Sequence, residues 1–169
     1  MTTVVFSHGQ ESGPWGTKIR AMAELVRGMG CEAVSIDYRG IADPGERVAK
    51  LLRECREIDD ELVLVGSSMG GHVATAAAGE AGAAGLFVLA PAYYVKGYED
   101  ITPKPPPIPI CIVHGWHDDI VPAENSVRFA RRHSATLHLV DGDHRLTANI
   151  DEINEYLRLF LEKTSEWFG

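Results

Sequence analysis

Ser68 stands between Gly66 and Gly70, just past a short apolar run, Leu62–Val65. The β-branched residues of that run predict a strand buried on both faces. Val73–Ala78 follows and reads as a small-residue helix. A serine at the tip of a sharp strand-to-helix turn has its hydroxyl pushed out at the sheet edge. The residues two before and two after it come close together, so a Cβ at either would clash. The helix aims its free N–H groups and the positive end of its dipole at the serine. That arrangement suits a step in which a carbonyl oxygen becomes an oxyanion. A Gly-rich turn after any strand of a doubly wound sheet is the competing reading, and the strand before and helix after weigh against it.

A serine nucleophile needs a base, and the base needs a group to orient it. In G-x-S-x-G hydrolases the partners follow in the order serine, acid, histidine. The chain offers that order, with Asp118 after the next-to-last expected strand and His144 after the last. Asp119 is the competing acid and reads as solvated or as a cap on the next helix. Ser67 lacks the flanking glycines and reads as a small spacer. His8 and His114 precede glycines at strand ends and read as loop braces. His72 reads as structural, His133 and His138 carry no signal, and Asp143 reads as a turn residue. His114, His117 and Asp118 have no third-ligand cluster after them, so no metal is expected. No cofactor is expected either, because no G-x-G-x-x-G follows a strand and no P-loop lysine is present.

These residues need elements to hold them. Thr3–Phe6, Glu32–Ile36, Leu62–Val65, Leu86–Leu89, Ile110–Val113 and Thr136–Val140 read as six short strands. A helix is predicted from about Trp15, with Ile19, Met22, Leu25 or Val26, and Met29 inward and Lys18, Arg20, Glu24 and Arg27 outward. Asp43-Pro44 predicts a capped start for a helix carrying Val48, Leu51, Leu52 and Cys55 inward. Pro122 opens a further helix to about His133. A last helix, roughly Asn149–Lys163, turns Ile150, Ile153, Leu157 and Phe160 inward. Strand and helix alternate about six times, which predicts a doubly wound, mostly parallel six-stranded α/β sheet with helices on both faces. Every chemically interesting loop then sits at the carboxyl end of a strand, where sites form in such sheets. Residues 92–109, with Tyr93, Tyr94, Tyr98 and a proline run, read as a small lid or rim, against the alternative of a mere connector.

The chain has 169 residues, 45% of them hydrophobic and 24% charged. That favours a single globular domain over 1–169. The formal net charge is −8 and no Lys/Arg cluster occurs, so nucleic acid is not an expected partner. No apolar run approaches the length of a membrane span. A strand starts directly after Met1 without a basic n-region, so no signal peptide is expected. Cys31, Cys55 and Cys111 are odd in number and read as reduced thiols of a cytoplasmic protein.

Four motifs in order carry a resemblance that spans nearly the whole chain: Ser7-His8-Gly9, Gly66 to Gly71, His114 to Pro122, and Gly142-Asp143-His144. The sequence resembles the alpha/beta-hydrolase superfamily, and within it the compact serine esterases without a full cap domain. The third motif fits that family's H-G-x-x-D-x-x-V-P pattern and so implies Asp118 as the catalytic acid. The resemblance further implies an oxyanion hole of backbone N–H groups from Met69 and Gln10. It implies a Ser68–His144–Asp118 triad acting on a small-molecule carboxylic ester. An acyl thioesterase, or a catalytically silent binding protein on the same fold, are the alternatives. Missing the first two strands and the helical cap of larger members, the chain is expected to have a pocket that is shallow or borrowed from the Tyr93–Tyr98 segment. Tyr93, Tyr94 and Trp116 are the candidates to line it, with core packing as the competing reading for each.

Overall fold

A computed structural model describes residues 1–168, with side chains through Thr164. The elements run β1 (Thr2–Ser7), α1 (Thr17–Gly28), β2 (Glu32–Ile36), α2 (Pro44–Arg56), β3 (Glu61–Ser67), α3 (Met69–Ala81), β4 (Gly85–Leu89), β5 (Ile110–Gly115), α4 (Ala123–His133), β6 (Thr136–Val140) and α5 (Ile150–Phe168). All six strands are parallel, in the order β2-β1-β3-β4-β5-β6. The expected doubly wound sheet is present. The order reverses between β1 and β3, which opens a crevice where the loops after those two strands diverge.

The alternation of side chains along each strand divides the core into two layers. Val4, Phe6, Val63, Val65, Phe87 and Leu89 face α1 and α5. Val5, Leu62, Leu64, Leu86, Val88 and Ile112 face α2, α3 and α4. The central strands are buried on both faces, so they are apolar throughout. α1 buries Ile19, Met22, Ala23 and Val26. α5 buries Ile153, Leu157 and Leu161, and Phe160 leans on Phe87 at 5.8 Å between ring centroids. Each fully buried aliphatic side chain of this kind contributes roughly 1.5–3 kcal/mol.

The helix starts show how local chemistry sets boundaries. Asp43 caps α2 by accepting from the Glu46 N–H at 2.9 Å, and Pro44 takes the first helical position. α1 begins at Thr17 rather than Trp15, because Gly16 is still extended. Pro122 is likewise extended, so α4 starts at Ala123 and the proline serves as its cap residue.

Residues 92–109 depart from the strand–helix alternation. Apart from a 3₁₀ turn at Glu99–Ile101 they form neither helix nor strand. The segment leaves β4 beside Ser68, where the Ala92 N–H donates to the Ser68 carbonyl at 3.0 Å. Asn125 of α4 donates to the Tyr93 and Tyr94 carbonyls. Pro106 approaches Gly79 of α3. The segment thus returns to β5 in the slot between α3 and α4 that a crossover helix would fill, with its tip, Lys96–Ile101, exposed.

Candidate active site

Ser68 has φ 55° and ψ −118°, a backbone conformation that costs about 1–3 kcal/mol and persists only where the surroundings impose it. The surroundings are visible. The Ser68 N–H donates to the Leu89 carbonyl at 2.9 Å, and the Ser68 carbonyl accepts from Gly71 and Ala92 at 3.0 Å each. The glycine spacing is steric, as the sequence predicted. A Cβ on Gly66 would run into the Gly70 carbonyl, and one on Gly70 into the Ser7 carbonyl. β3, β1 and the first turn of α3 are therefore pressed together, and Ser68 is the residue left standing at the top.

Three loops bring three side chains into line. Ser68 Oγ lies 3.0 Å from His144 Nε2, and His144 Nδ1 lies 2.8 Å from Asp118 Oδ2. Nδ1 faces a carboxylate and so carries the proton, which leaves Nε2 as the acceptor for the serine hydroxyl. The Asp118 side chain is wholly buried, while His144 keeps 20% exposure. The second Asp118 oxygen accepts from the Ile120 and Val121 N–H groups at 2.9 and 2.8 Å. Asp119, the competing acid, is exposed and takes no part.

The loops after β5 and β6 are tied to each other. The Trp116 N–H donates to the Val140 carbonyl at 2.9 Å and the His117 N–H to the Gly142 carbonyl at 3.0 Å. A Cβ at Gly115 would collide with Gly142. Asp143 closes the turn around His144, accepting from the N–H groups of Arg145 and Leu146. His114 braces the acid loop, as expected, and does more. Its Nε2 faces two acceptors, the Val121 carbonyl at 2.8 Å and Asp118 Oδ2 at 3.1 Å, so it donates. Its Nδ1 then accepts from Ser126 Oγ at 2.6 Å. Asp118 is thus held by two main-chain amides and one buried histidine.

Met69 and Gln10, the expected oxyanion donors, lie at the start of α3 and on the loop after β1. Met69 is the first residue of α3, so its N–H has no partner inside the helix. Gln10 lies on the loop after β1, whose Gly9 is packed against the elbow. A Cβ built on Gly9 would stand 3.6 Å from both Ser68 Cβ and the Ser67 carbonyl.

The three aromatic candidates separate, and the readings of Lys18 and Ser67 change. Tyr93 does not line a pocket. It has no exposed surface, stacks on Phe129 with ring centroids 3.9 Å apart, and shares a hydrogen bond with the Thr75 hydroxyl. Irregular backbone carries no periodicity from which that burial could be read. Tyr94 is half-buried against Phe129 and beneath the Arg128 guanidinium, on the α4 side. Trp116 is 54% exposed on the loop that leads to Asp118. Lys18, expected on the solvent face of α1, instead folds inward and donates to Ser67 Oγ at 3.2 Å. Burial pushes its ammonium down to about 8, against the pull of Asp143 and Asp118 and with the push of Arg145. Ser67 is therefore a hydrogen-bonding residue and not only a spacer. Lys18 directly precedes the apolar Ile19, and that border position on the helical stripe is the one sequence signal that could have found it.

Burial also holds the His8, His72 and His114 imidazoles below their usual range, each pulled part of the way back by a main-chain carbonyl. A histidine whose folded value is depressed adds stability above its unfolded value, near ~6.5, and loses it as pH falls through the folded value. The urea midpoint should therefore decline between about pH 6.5 and 5, before the ordinary carboxylates protonate. An unchanged midpoint across that interval would show that these rings are not buried neutral. The cysteines are free thiols, and burial pushes Cys55 and Cys111 up to about 11 and about 12, which keeps them protonated.

Among the described residues no group of three His, Cys, Asp or Glu side chains is arranged to hold a metal ion, and no helix is long and apolar enough to cross a membrane. A family model described as "Alpha/beta hydrolase family" matches residues 4–167. No curated protein sequence matches. Among solved structures, a candidate hydrolase of the alpha/beta superfamily from Xanthomonas campestris pv. campestris superposes with a TM-score of 0.88 at 28% identity, covering 95% of this chain and 98% of its own. Est1E from Butyrivibrio proteoclasticus, solved with ferulic acid bound, gives a TM-score of 0.83 at 16% identity over 98% and 90% of the two chains. A serine hydrolase without a lid from Xanthomonas campestris gives 0.77 at 23% identity over 96% and 81%. The last two likenesses concern the fold alone, but the family match runs through every loop described above. The chain belongs to the alpha/beta hydrolase family.

Proposed function

We propose that the protein is a serine hydrolase that cleaves small carboxylic esters through an acyl-enzyme. The observation that carries this reading is the continuous relay from Ser68 Oγ through His144 to the buried Asp118 carboxylate. Ser68 gives its proton to His144 Nε2 as its oxygen attacks the ester carbonyl. The carbonyl electrons move to oxygen, where the Met69 and Gln10 N–H groups receive the charge. When the intermediate collapses, His144 returns the proton to the departing alcohol. Water then repeats the cycle on the acyl-enzyme, losing its proton to His144, and releases the carboxylic acid. Asp118 stays ionised throughout, holds the tautomer and stabilises the imidazolium.

The surroundings of Ser68 support a small ester as the substrate. With 92–109 packed back along α3 and α4, the segment forms a rim at Ala92 rather than a cover. We read the site as shallow and open, which suits a small ester, with the exposed Trp116 on the acid loop as the remaining candidate for an apolar wall. The test is labelling with a fluorophosphonate followed by peptide mass spectrometry. We expect modification confined to Ser68 and none in His144→Ala. Folded protein that never labels would leave a hydrolase-fold binding protein as the better reading.

A further inference from the structure

Arg47 is 2% exposed, in the first turn of α2, and is the largest fully buried side chain among the described residues. Among the described residues no carboxylate pairs with it. A buried guanidinium is costly unless its donors are satisfied. Here they are spent on main-chain carbonyls. Nε donates to the Ile41 carbonyl at 2.7 Å, and Nη1 reaches the carbonyls of His8 and Gly9 at 3.4 and 3.3 Å. The guanidinium also lies 5.3 Å from the centre of the Tyr38 ring.

His8 grips the same peptide. Its Nε2 accepts from the Tyr38 N–H at 2.8 Å, so its proton sits on Nδ1, which donates to the Gly9 carbonyl at 2.7 Å. The Gly9 carbonyl is therefore held from the inner side by two buried side chains, with Ser12 Oγ adding a weaker bond at 3.4 Å. The Gly9–Gln10 peptide is trans, and in a trans peptide the C=O and the following N–H point in opposite directions. Fixing the Gly9 carbonyl toward Arg47 and His8 fixes the Gln10 N–H away from them. Gly9 itself is packed against Ser68.

We propose that Arg47, together with His8, is a positioning residue that clamps the Gly9–Gln10 peptide so that the Gln10 N–H faces the developing oxyanion. This rests on the hydrolase reading above. A hydroxyl or amine aimed at the same carbonyl would leave its orientation softer. The guanidinium, planar and always charged, bonds three carbonyls at once from a helix anchored in the core.

The test compares wild type with Arg47→Met and Arg47→Lys on a p-nitrophenyl ester and on an aryl boronic acid, which forms a tetrahedral adduct on the serine. In Arg47→Met we expect kcat to fall by up to about 10²-fold, the scale of losing one oxyanion donor, with KM nearly unchanged. Boronate affinity should fall by the same factor, and Arg47→Lys should recover part of both. Added guanidinium ion should restore part of the Arg47→Met loss. A folded Arg47→Met with wild-type kcat, or a kcat loss without a matching loss of boronate affinity, overturns the clamp. If Arg47→Met does not fold, the wild type decides alone: the Gln10 amide proton should move downfield when the boronate adduct forms, and an unmoved resonance overturns the proposal. A wild type inert toward both ester and fluorophosphonate would instead overturn the hydrolase reading.

Discussion

Ser68→Ala should lower ester turnover by at least about 10⁴-fold and leave the fold almost untouched. The alanine keeps a Cβ, and its main chain still donates to Leu89 and accepts from Gly71 and Ala92. Only the hydrogen bond to His144 is lost, on the order of 1 kcal/mol. His144→Ala should cost a similar factor. The double variant should be no worse than either single one, because both side chains act in one proton transfer. Steady-state kinetics on the three purified proteins, with thermal melts alongside, checks this. Undiminished hydrolysis by Ser68→Ala would end the mechanism. Losses that multiply in the double variant would mean that the serine and the histidine serve separate steps.

Asp118→Asn should cost roughly 10⁴-fold in kcat, by analogy with other triads. The geometry says why. Oδ1 is taken by the Ile120 and Val121 amides, so an asparagine turns its carbonyl there and its NH₂ toward His144. Nδ1 of His144 must then accept, its proton moves to Nε2, and no base faces Ser68. The same NH₂ would confront the donating Nε2 of His114, so the variant should also lose some stability. Asp119→Asn is the control. Its side chain is outside the relay, and turnover should stay within about twofold, as surface changes away from a site usually do. A larger loss for Asp119→Asn than for Asp118→Asn would move the acid by one residue.

The parts of this molecule that announce themselves in the sequence are those with a local signature. The β3–Ser68–α3 elbow is written in glycines that only close backbone approach requires. The six strands are written in apolar runs, and the Asp43-Pro44 start of α2 in its own capping chemistry. What stays hidden depends on non-local packing. Lys18 and Arg47 lie on amphipathic helices, where the pattern tells inside from outside. It does not say that the rim of the inside will meet Ser67 Oγ or the carbonyls of the β1 loop. His114 could be read as a brace from its place before Gly115, yet its bond to Asp118 needs the turn through Asp118–Val121 to be seen. Tyr93 sits on backbone without a period, so nothing distinguished a core tyrosine from a pocket wall.

The missing crossover helix between β4 and β5 makes this chain a permissive host. Fusions and insertions disturb a protein in proportion to the packed backbone they interrupt. The tip from Lys96 to Ile101 is exposed and has Gly97 in the left-handed region, so it interrupts little. Doubling the length of such a loop adds only about 0.6 kcal/mol of closure entropy. A module grafted there would leave the elbow, the acid loop and the sheet untouched. One connector can thus be lengthened while the frame that holds Ser68, His144 and Asp118 is inherited unchanged.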